Sequence, residues 1–199
     1  MTEIVPRWEW RVFGDDMTHL EEAFRDIAGE PQVRESEEIY ILSRRSNNNT
    51  KIRFDMMDVK MLKQISKDRL EQWYPTFKNA LPVEANQLKM VYQAWDMPIP
   101  LSGTRPCDLD TLINTIVEPS PYLESVKVTK ERHGFMVNNV ICEVGYLTFN
   151  GSSIQTAGVE HVDPLMVMSV LKKLGLNSHD NTSYLAALKS FVKMDRLYQ

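Results

Sequence analysis

The sequence predicts an α+β fold whose antiparallel sheet of about eight strands closes, or nearly closes, into a barrel. Three observations lead to this prediction. Short apolar runs with period-two alternation recur along the chain, which is typical of strands. Most connections between these runs are turns that are too short for parallel crossovers. About five amphipathic helical segments could cover one face of the sheet from outside, which would leave a polar inner face.

Five of the predicted strands lie in the N-terminal half. The polar tract Ser46–Asn49 has the composition of a turn, and β-rich runs flank it on both sides, which predicts a hairpin. A second polar turn around Ser66–Asp68 separates two further strands. The predicted strands of this half cover residues 8–13, 39–42, 51–55, 58–62 and 69–74.

The C-terminal third predicts three more strands joined by tight links. Asn138-Asn139 separates the first pair and Asn150-Gly151 the second, and Asn-Gly between two apolar runs is a strong hairpin signal. The three strands cover residues 125–135, 140–149 and 154–162.

Five helices are predicted from apolar spacing and end signals. The first is capped by Asp15 or Asp16 and ends at Gly29. Asp163-Pro164 combines a capping residue with proline at the first helical position, which predicts another helix start. The remaining helices are predicted over residues 88–95, from the cap Asp108 through Ile116, and from Asn181 onward.

Composition narrows the class of protein. The chain has 199 residues, of which 43% are hydrophobic and 25% charged, and its formal net charge is −4. This is the profile of one globular domain over residues 1–199, without the broad basic surface of a nucleic-acid binder. We expect no membrane segment, because no apolar run approaches the length of a span. Cys107 and Cys142 form no CxxC pair, so we expect two reduced structural cysteines in a cytoplasmic protein.

Charged residues alternate with apolar ones on several predicted strands. Glu9 and Arg11 share one face of the first strand, and Lys130 and Arg132 share one face of another. Such rows suit the solvent-exposed face of an amphipathic sheet. They equally suit a polar barrel interior, where Arg and Lys bind phosphate oxygens and carboxylates hold a divalent metal ion.

The order of these segments resembles the CYTH domain, the family of triphosphate tunnel metalloenzymes. That family opens with an ExExK strand, for which this chain has Arg7-Trp8-Glu9-Trp10-Arg11. Arginines therefore stand at the positions of the first Glu and the Lys, and Gly158 stands at a position of the late ExE pattern. The segments that carry the resemblance are 7–11, 50–53, Lys60 with 69–71, 128–132, Glu143, 156–160, and 174–176 with 181–184.

The resemblance implies an eight-stranded antiparallel tunnel, with helices packed outside, that binds a small phosphorylated compound such as a triphosphate or polyphosphate. Its implied metal ligands, for Mg²⁺ or Mn²⁺, are Glu9, Glu143 and Glu160. Its implied phosphate contacts are Arg11, Arg53, Lys60, Arg69, Lys130 and Arg132.

Two functions remain open at the level of sequence. One is metal-dependent hydrolysis of a triphosphate or polyphosphate compound. The other is a non-catalytic module that binds such an anion, which Arg7, Arg11 and Gly158 at family positions favour. The oligomeric state is not defined by the sequence, and a homodimer is compatible with it. His133 and His161 lie opposite the charged faces of their strands, so we expect both to have structural roles.

Overall fold

A computed structural model describes residues 5–100 and 105–194. Its eight strands form a closed barrel in the order β1-β5-β4-β3-β2-β6-β7-β8, and neighbouring strands run antiparallel. This confirms the predicted fold class. The strands are β1 (Trp8–Gly14), β2 (Gln32–Ser43), β3 (Asn49–Arg53), β4 (Met56–Ile65), β5 (Glu71–Ala80), β6 (Leu123–Val137), β7 (Val140–Phe149) and β8 (Ser152–His161). The helices are α1 (Thr18–Ala28), α2 (Ala85–Ala94), a π-helix (Thr111–Val117), α3 (Pro164–Lys173) and α4 (Tyr184–Phe191).

Contacts divide the chain into two compact units. Unit 1 comprises the residues up to Ser36, Leu62–Trp73 and Thr129–Ala187. Its apolar core takes alternate residues of β1, β7 and β8, such as Trp10, Val144 and Val159, and packs them against α1 and α3. Because side chains alternate across a strand, the residues between them point to the other face, which in a closed barrel is the inner face.

Unit 2 comprises Glu37–Met61, Tyr74–Val128 and the residues from Leu188 on. Its core joins apolar residues of β2, β3 and β4, including Ile41, Ile52 and Val59, to Trp95 and to Leu112 of the π-helix. The intervening residues of the same strands again carry the charged side chains. The alternation in the sequence thus marks the helix-covered face of the strands in each unit.

Several strand ends differ from the sequence-based prediction. The strand predicted over residues 51–55 ends at Arg53, because Phe54 and Asp55 form a turn with φ of 50° and 55°. Arg69 was predicted to begin a strand, but it lies in a turn with φ of 62° and β5 begins at Glu71. By contrast, Asn150-Gly151 links β7 to β8 as predicted.

Helix starts follow the sequence in one case and depart from it in another. The Asp163 side chain accepts a hydrogen bond from the Leu165 amide and Pro164 begins α3, as predicted. The last helix begins at Tyr184 rather than at Asn181. The Asn181 side chain instead accepts from the Arg11 amide and donates to the Glu9 and Arg69 carbonyl oxygens, at 2.8, 3.2 and 2.9 Å. Asn181 therefore ties a loop of unit 1 to β1.

Both cysteines are buried and free, as predicted. Burial raises the pKa of the Cys142 thiol to about 12. Within residues 5–100 and 105–194, no helix has the length and apolar character needed to cross a membrane.

Candidate anion-binding site

The inner face of unit 1 gathers the charged residues of four strands. The register places Arg11 of β1 opposite Gly158 of β8, and Gly158 opposite Glu143 of β7. On β6, Arg132 pairs with Gly145, the next inward-facing position after Glu143. Cross-strand partners share one face of a sheet. Strand pairing alone therefore brings Arg11, Glu143 and Arg132 together.

Arg11 is the central cation of this group and is only 7% exposed. Its guanidinium group donates to Glu143 Oε1 at 3.2 Å, to Thr156 Oγ1 at 3.2 Å and to Tyr184 Oη at 3.4 Å. A buried charge is tolerated only when it is paired and hydrogen-bonded, and Arg11 meets both conditions. Burial lowers the pKa of Arg11, but Tyr184 and Glu143 beside it outweigh that effect and raise its pKa above the ordinary value. The group is a permanent positive charge.

Gly158 provides the space that the Arg11 guanidinium occupies. A Cβ atom at position 158 would lie 2.5 Å from Nη2 and 2.7 Å from Cζ of Arg11. These distances are far shorter than a van der Waals contact, so any side chain at position 158 would displace the guanidinium. The glycine and the buried arginine thus depend on each other.

Tyr184, the first residue of α4, covers two cations of the inner face. The centre of its ring lies 4.3 Å from Arg11 Cζ and 3.8 Å from Lys130 Nζ, and its edge contacts the ring of Phe13. Lys130 is 3% exposed. Cation–π contacts of this kind gain strength when the cation is desolvated. Tyr184 therefore helps to hold both positive charges out of water.

Arg132 forms part of the wall of a cavity of about 610 Å³, together with Arg7, Arg34, Glu143 and other residues. Its Nη1 atom lies 3.6 Å from Glu143 Oε2, which is an ion pair beyond hydrogen-bond distance. Within the described residues, its buried Nε group has no hydrogen-bond partner. The Arg132 side chain as a whole is 25% exposed, so its guanidinium group can donate hydrogen bonds to a ligand in this cavity.

Three carboxylates of unit 1 occupy one row across neighbouring strands. Glu9 of β1 faces Glu160 of β8 on one side and Glu71 of β5 on the other. Arg7 pairs with Glu160 at 3.3 Å, and burial raises the pKa of Glu71 although the Trp73 indole donates to it. Like charges directly opposite each other are destabilising. The pairing of Glu160 with Arg7 reduces that repulsion.

The expected metal ligands do not fit a divalent ion in this arrangement. Glu143 bonds to Arg11 and Glu160 pairs with Arg7, so arginines occupy two of the three carboxylates. Among the residues that the structure describes, no three His, Cys, Asp or Glu side chains lie close enough together to hold a metal ion. A guanidinium already bound to a carboxylate opposes the approach of a second cation.

Unit 2 has its own buried cluster on the charged faces of β2 and β3. Glu38 is 1% exposed. It accepts from Tyr40 Oη at 2.9 Å and from Arg53 Nη1 at 3.2 Å, and it lies 3.6 Å from Lys51 Nζ. Burial lowers the pKa of Lys51 more than Glu38 raises it. The Glu38 carboxylate therefore has two cationic partners, Arg53, which donates a hydrogen bond to it, and Lys51, whose pKa is lowered.

Lys60 and Arg69 are two further predicted phosphate contacts. Lys60 is half-buried on β4 in unit 2, where the register places it opposite Asn49. The Oδ1 atoms of Asn49 and Asp58, on the same face, are buried without a hydrogen-bond partner in the described part of the chain. In unit 1, the exposed Arg69 side chain pairs with Asp180 from its turn. Arg69 is therefore not part of the group around Arg11.

Three residues of the charged clusters and the cavity wall were not identified from the sequence. Glu38 lies just before the run Ile39–Leu42, and the strand was predicted to start after it. Tyr184 lies in the segment 181–184, which carried the family resemblance but no predicted functional role. Arg34 lies in the first part of β2, which was not predicted as a strand because its residues are mostly polar. Of the three, only Glu38 could have been found from the sequence, because it stands two residues before Tyr40 and therefore shares a strand face with Tyr40 and Leu42.

The fold and the site thus define an α+β protein whose closed eight-stranded barrel carries ion pairs on its inner face. No protein-family model matches the chain, and no curated protein matches it by sequence.

Solved structures of similar fold do exist. HpAC1 from Hippeastrum, a candidate adenylyl cyclase with a dominant triphosphatase activity, superposes with a TM-score of 0.54 at 11% identity, over 93% of this chain and 96% of the other. A conserved hypothetical protein from Pyrococcus furiosus gives a TM-score of 0.54 at 14% identity, over 90% and 98%. A protein from Pyrococcus horikoshii OT3 gives 0.52 at 14% identity, over 92% and 99%. At these identities the similarity establishes a common fold.

Proposed function

We propose that this protein is a divergent CYTH-like module that binds a small triphosphate- or polyphosphate-containing compound in the cavity of unit 1. The observation that carries the proposal is Arg132, which lies in the cavity wall with its side chain 25% exposed and at 3.6 Å from Glu143, beyond hydrogen-bond distance. Guanidinium groups bind phosphate oxygens in bidentate geometry. The similarity of fold to a protein with triphosphatase activity supports this substrate class.

The basic residues of the site support a small anionic ligand. Arg7, Arg11, Lys130 and Arg132 bring four positive charges to the inner face of unit 1, where four carboxylates, Glu9, Glu71, Glu143 and Glu160, face them. These basic residues are concentrated in one place, although the whole chain carries a net charge of −4. Such a local group suits one phosphate chain in a cavity rather than a nucleic-acid surface.

Calorimetric titration with tripolyphosphate tests the proposal. We expect Arg132→Gln to weaken binding by about 1.5–3 kcal/mol, the range for hydrogen bonds to charged groups. Lys172→Gln is the matched control, because it removes the same charge from an exposed position in the last turn of α3 and should leave the affinity unchanged. Equal affinities for wild type and Arg132→Gln would contradict the proposed site.

Hydrolysis is the second candidate function, and the similarity of fold to a protein with a dominant triphosphatase activity favours it. The test is phosphate release from tripolyphosphate, thiamine triphosphate and nucleoside triphosphates with Mg²⁺ or Mn²⁺. Turnover would support the enzyme. Binding without turnover would leave the binding module as the function, and no binding of any of these compounds would contradict both.

A further inference from the structure

The buried Arg11 is the cation that pairs with Glu143, one of the expected metal ligands. Arg11 contacts Glu143, Thr156 and Tyr184 at once, and its guanidinium fills the space over Gly158. A carboxylate serves a metal ion through the lone pairs of its oxygens. Oε1 of Glu143 already accepts from Arg11, and Oε2 lies 3.6 Å from Arg132.

We propose that Arg11 is the resident cation of this site and holds Glu143, so that a phosphate ligand in the adjoining cavity is bound by the guanidinium groups of its wall without a divalent metal ion. This inference rests on the proposed function of unit 1. It assigns to Gly158 the role of a positioning residue, because the absence of a side chain there admits the guanidinium.

The arrangement favours arginine over other cations for this role. An arginine keeps its charge when buried, whereas burial lowers the pKa of the partly buried Lys51 in unit 2. The guanidinium group also contacts Glu143, Thr156 and Tyr184 at the same time, because its N–H donors are fixed in a plane on separate nitrogen atoms. An ammonium group has all its donors on a single nitrogen atom. Arg7 repeats the pattern on Glu160 at the exposed side of the same face.

The first experiment compares tripolyphosphate binding by the wild-type protein in EDTA and in Mg²⁺. We expect binding in EDTA to be at least as tight as in Mg²⁺, because Mg²⁺ complexes the free ligand and adds no contact in the site. Binding more than tenfold tighter in Mg²⁺ would overturn the inference and leave the proposed function intact. An absence of binding in both buffers would instead contradict the proposed function.

The second experiment titrates Mn²⁺ alone into the wild-type protein and follows the free ion by electron paramagnetic resonance. This titration needs no variant and no phosphate ligand. It therefore tests whether Arg11 replaces a divalent metal ion even if tripolyphosphate does not bind. We expect no stoichiometric uptake of Mn²⁺. Uptake of one ion per chain would overturn the inference.

The third experiment displaces the guanidinium with a single methyl group. Gly158→Ala puts a Cβ atom 2.5 Å from Nη2 of Arg11, and we expect a loss of tripolyphosphate affinity of at least tenfold. Ser153→Ala is the control, because Ser153 is an exposed residue of the same strand, β8, and does not line the cavity. A circular-dichroism melt identifies variants that fail to fold. Equal affinity in a folded Gly158→Ala protein would overturn the role of Gly158.

Discussion

Unit 1 and unit 2 each contain a carboxylate that bridges two basic side chains, yet the two clusters differ in what they leave accessible. Glu143 lies 3.2 Å from Arg11 and 3.6 Å from Arg132. Glu38 lies 3.2 Å from Arg53 and 3.6 Å from Lys51. The distances are nearly the same, but the side chain of Glu143 is 19% exposed and that of Glu38 only 1%.

This difference shows how similar ion pairs can serve different purposes. Glu38 receives a third hydrogen bond from Tyr40 and is sealed from water. Glu143 adjoins a cavity whose wall includes the Arg132 side chain, which is 25% exposed. Removing one partner of a buried ion pair is strongly destabilising, whereas a partly open pair can exchange its partner for a ligand. We therefore assign stability to the cluster of unit 2 and recognition to that of unit 1.

The largest expected effect tests the cluster of unit 2. Glu38→Gln keeps the shape of the side chain but leaves Lys51 and Arg53 without their buried counter-charge, so we expect a loss of about 3–5 kcal/mol in the free energy of unfolding. Urea denaturation measures this value. The adjacent Glu37 is exposed and pairs with Lys127, so Glu37→Gln should cost at most about 1 kcal/mol. A similar small cost for both variants would remove the distinction between the units.

Glu143→Gln tests the other half of the comparison. We expect a smaller loss of stability, about 1–3 kcal/mol, because the carboxylate is partly exposed and Arg11 keeps Thr156 and Tyr184 as partners. Removing a negative charge from the site should also increase the affinity for tripolyphosphate by about tenfold, or about 1.4 kcal/mol.

Calorimetric titration checks the change in affinity, and Glu22→Gln on the exposed side of α1 is the matched control. Weaker binding by Glu143→Gln than by wild type would show that the carboxylate itself serves the ligand.

A third cluster, in which Glu21 contacts His133, has the smallest expected effect on the free energy of unfolding. Glu21 of α1 accepts from Tyr146 and Arg25 and contacts His133 of β6 at 2.8 Å. Burial lowers the pKa of His133. The contacts with Glu21 and Glu131 raise it by more, so the pKa lies above the ordinary histidine value of 6.5. The contribution of His133 to stability is therefore fully present below about pH 6.5 and is lost as the pH rises through the raised pKa.

Urea denaturation across this pH range checks the His133 prediction. We expect His133→Asn to lower the free energy of unfolding by about 0.5–1.5 kcal/mol at low pH and to remove the decline that wild type shows on raising the pH. His179→Asn, at an exposed loop position, should retain the decline. An identical pH profile for wild type and His133→Asn would contradict the ion-pair role of His133.

Much of the fold could be predicted because local patterns and tertiary structure agree. Trp10 and Arg11 occupy opposite faces of β1, as their alternation predicts, and Asp163 caps α3. Errors occurred where polar residues extend a strand or form a turn. Residues 32–38 belong to β2 although their composition suggests a loop, because pairing with neighbouring strands supplies hydrogen bonds that composition does not encode. The turn predicted around Ser66–Asp68 extends one residue further, to Arg69, where no glycine or asparagine marks the left-handed position.

For the candidate site, the sequence by itself determined which residues share a face: Arg11 with Glu9, and Lys130 with Arg132. Period-two alternation requires this in any strand, whatever its neighbours are. Only the tertiary structure decided which charges meet, because register, not spacing along one strand, places Arg11 over Gly158 and beside Glu143. The burial of Glu38 and the position of Tyr184 over two cations have the same origin. They depend on long-range packing, which no local pattern contains.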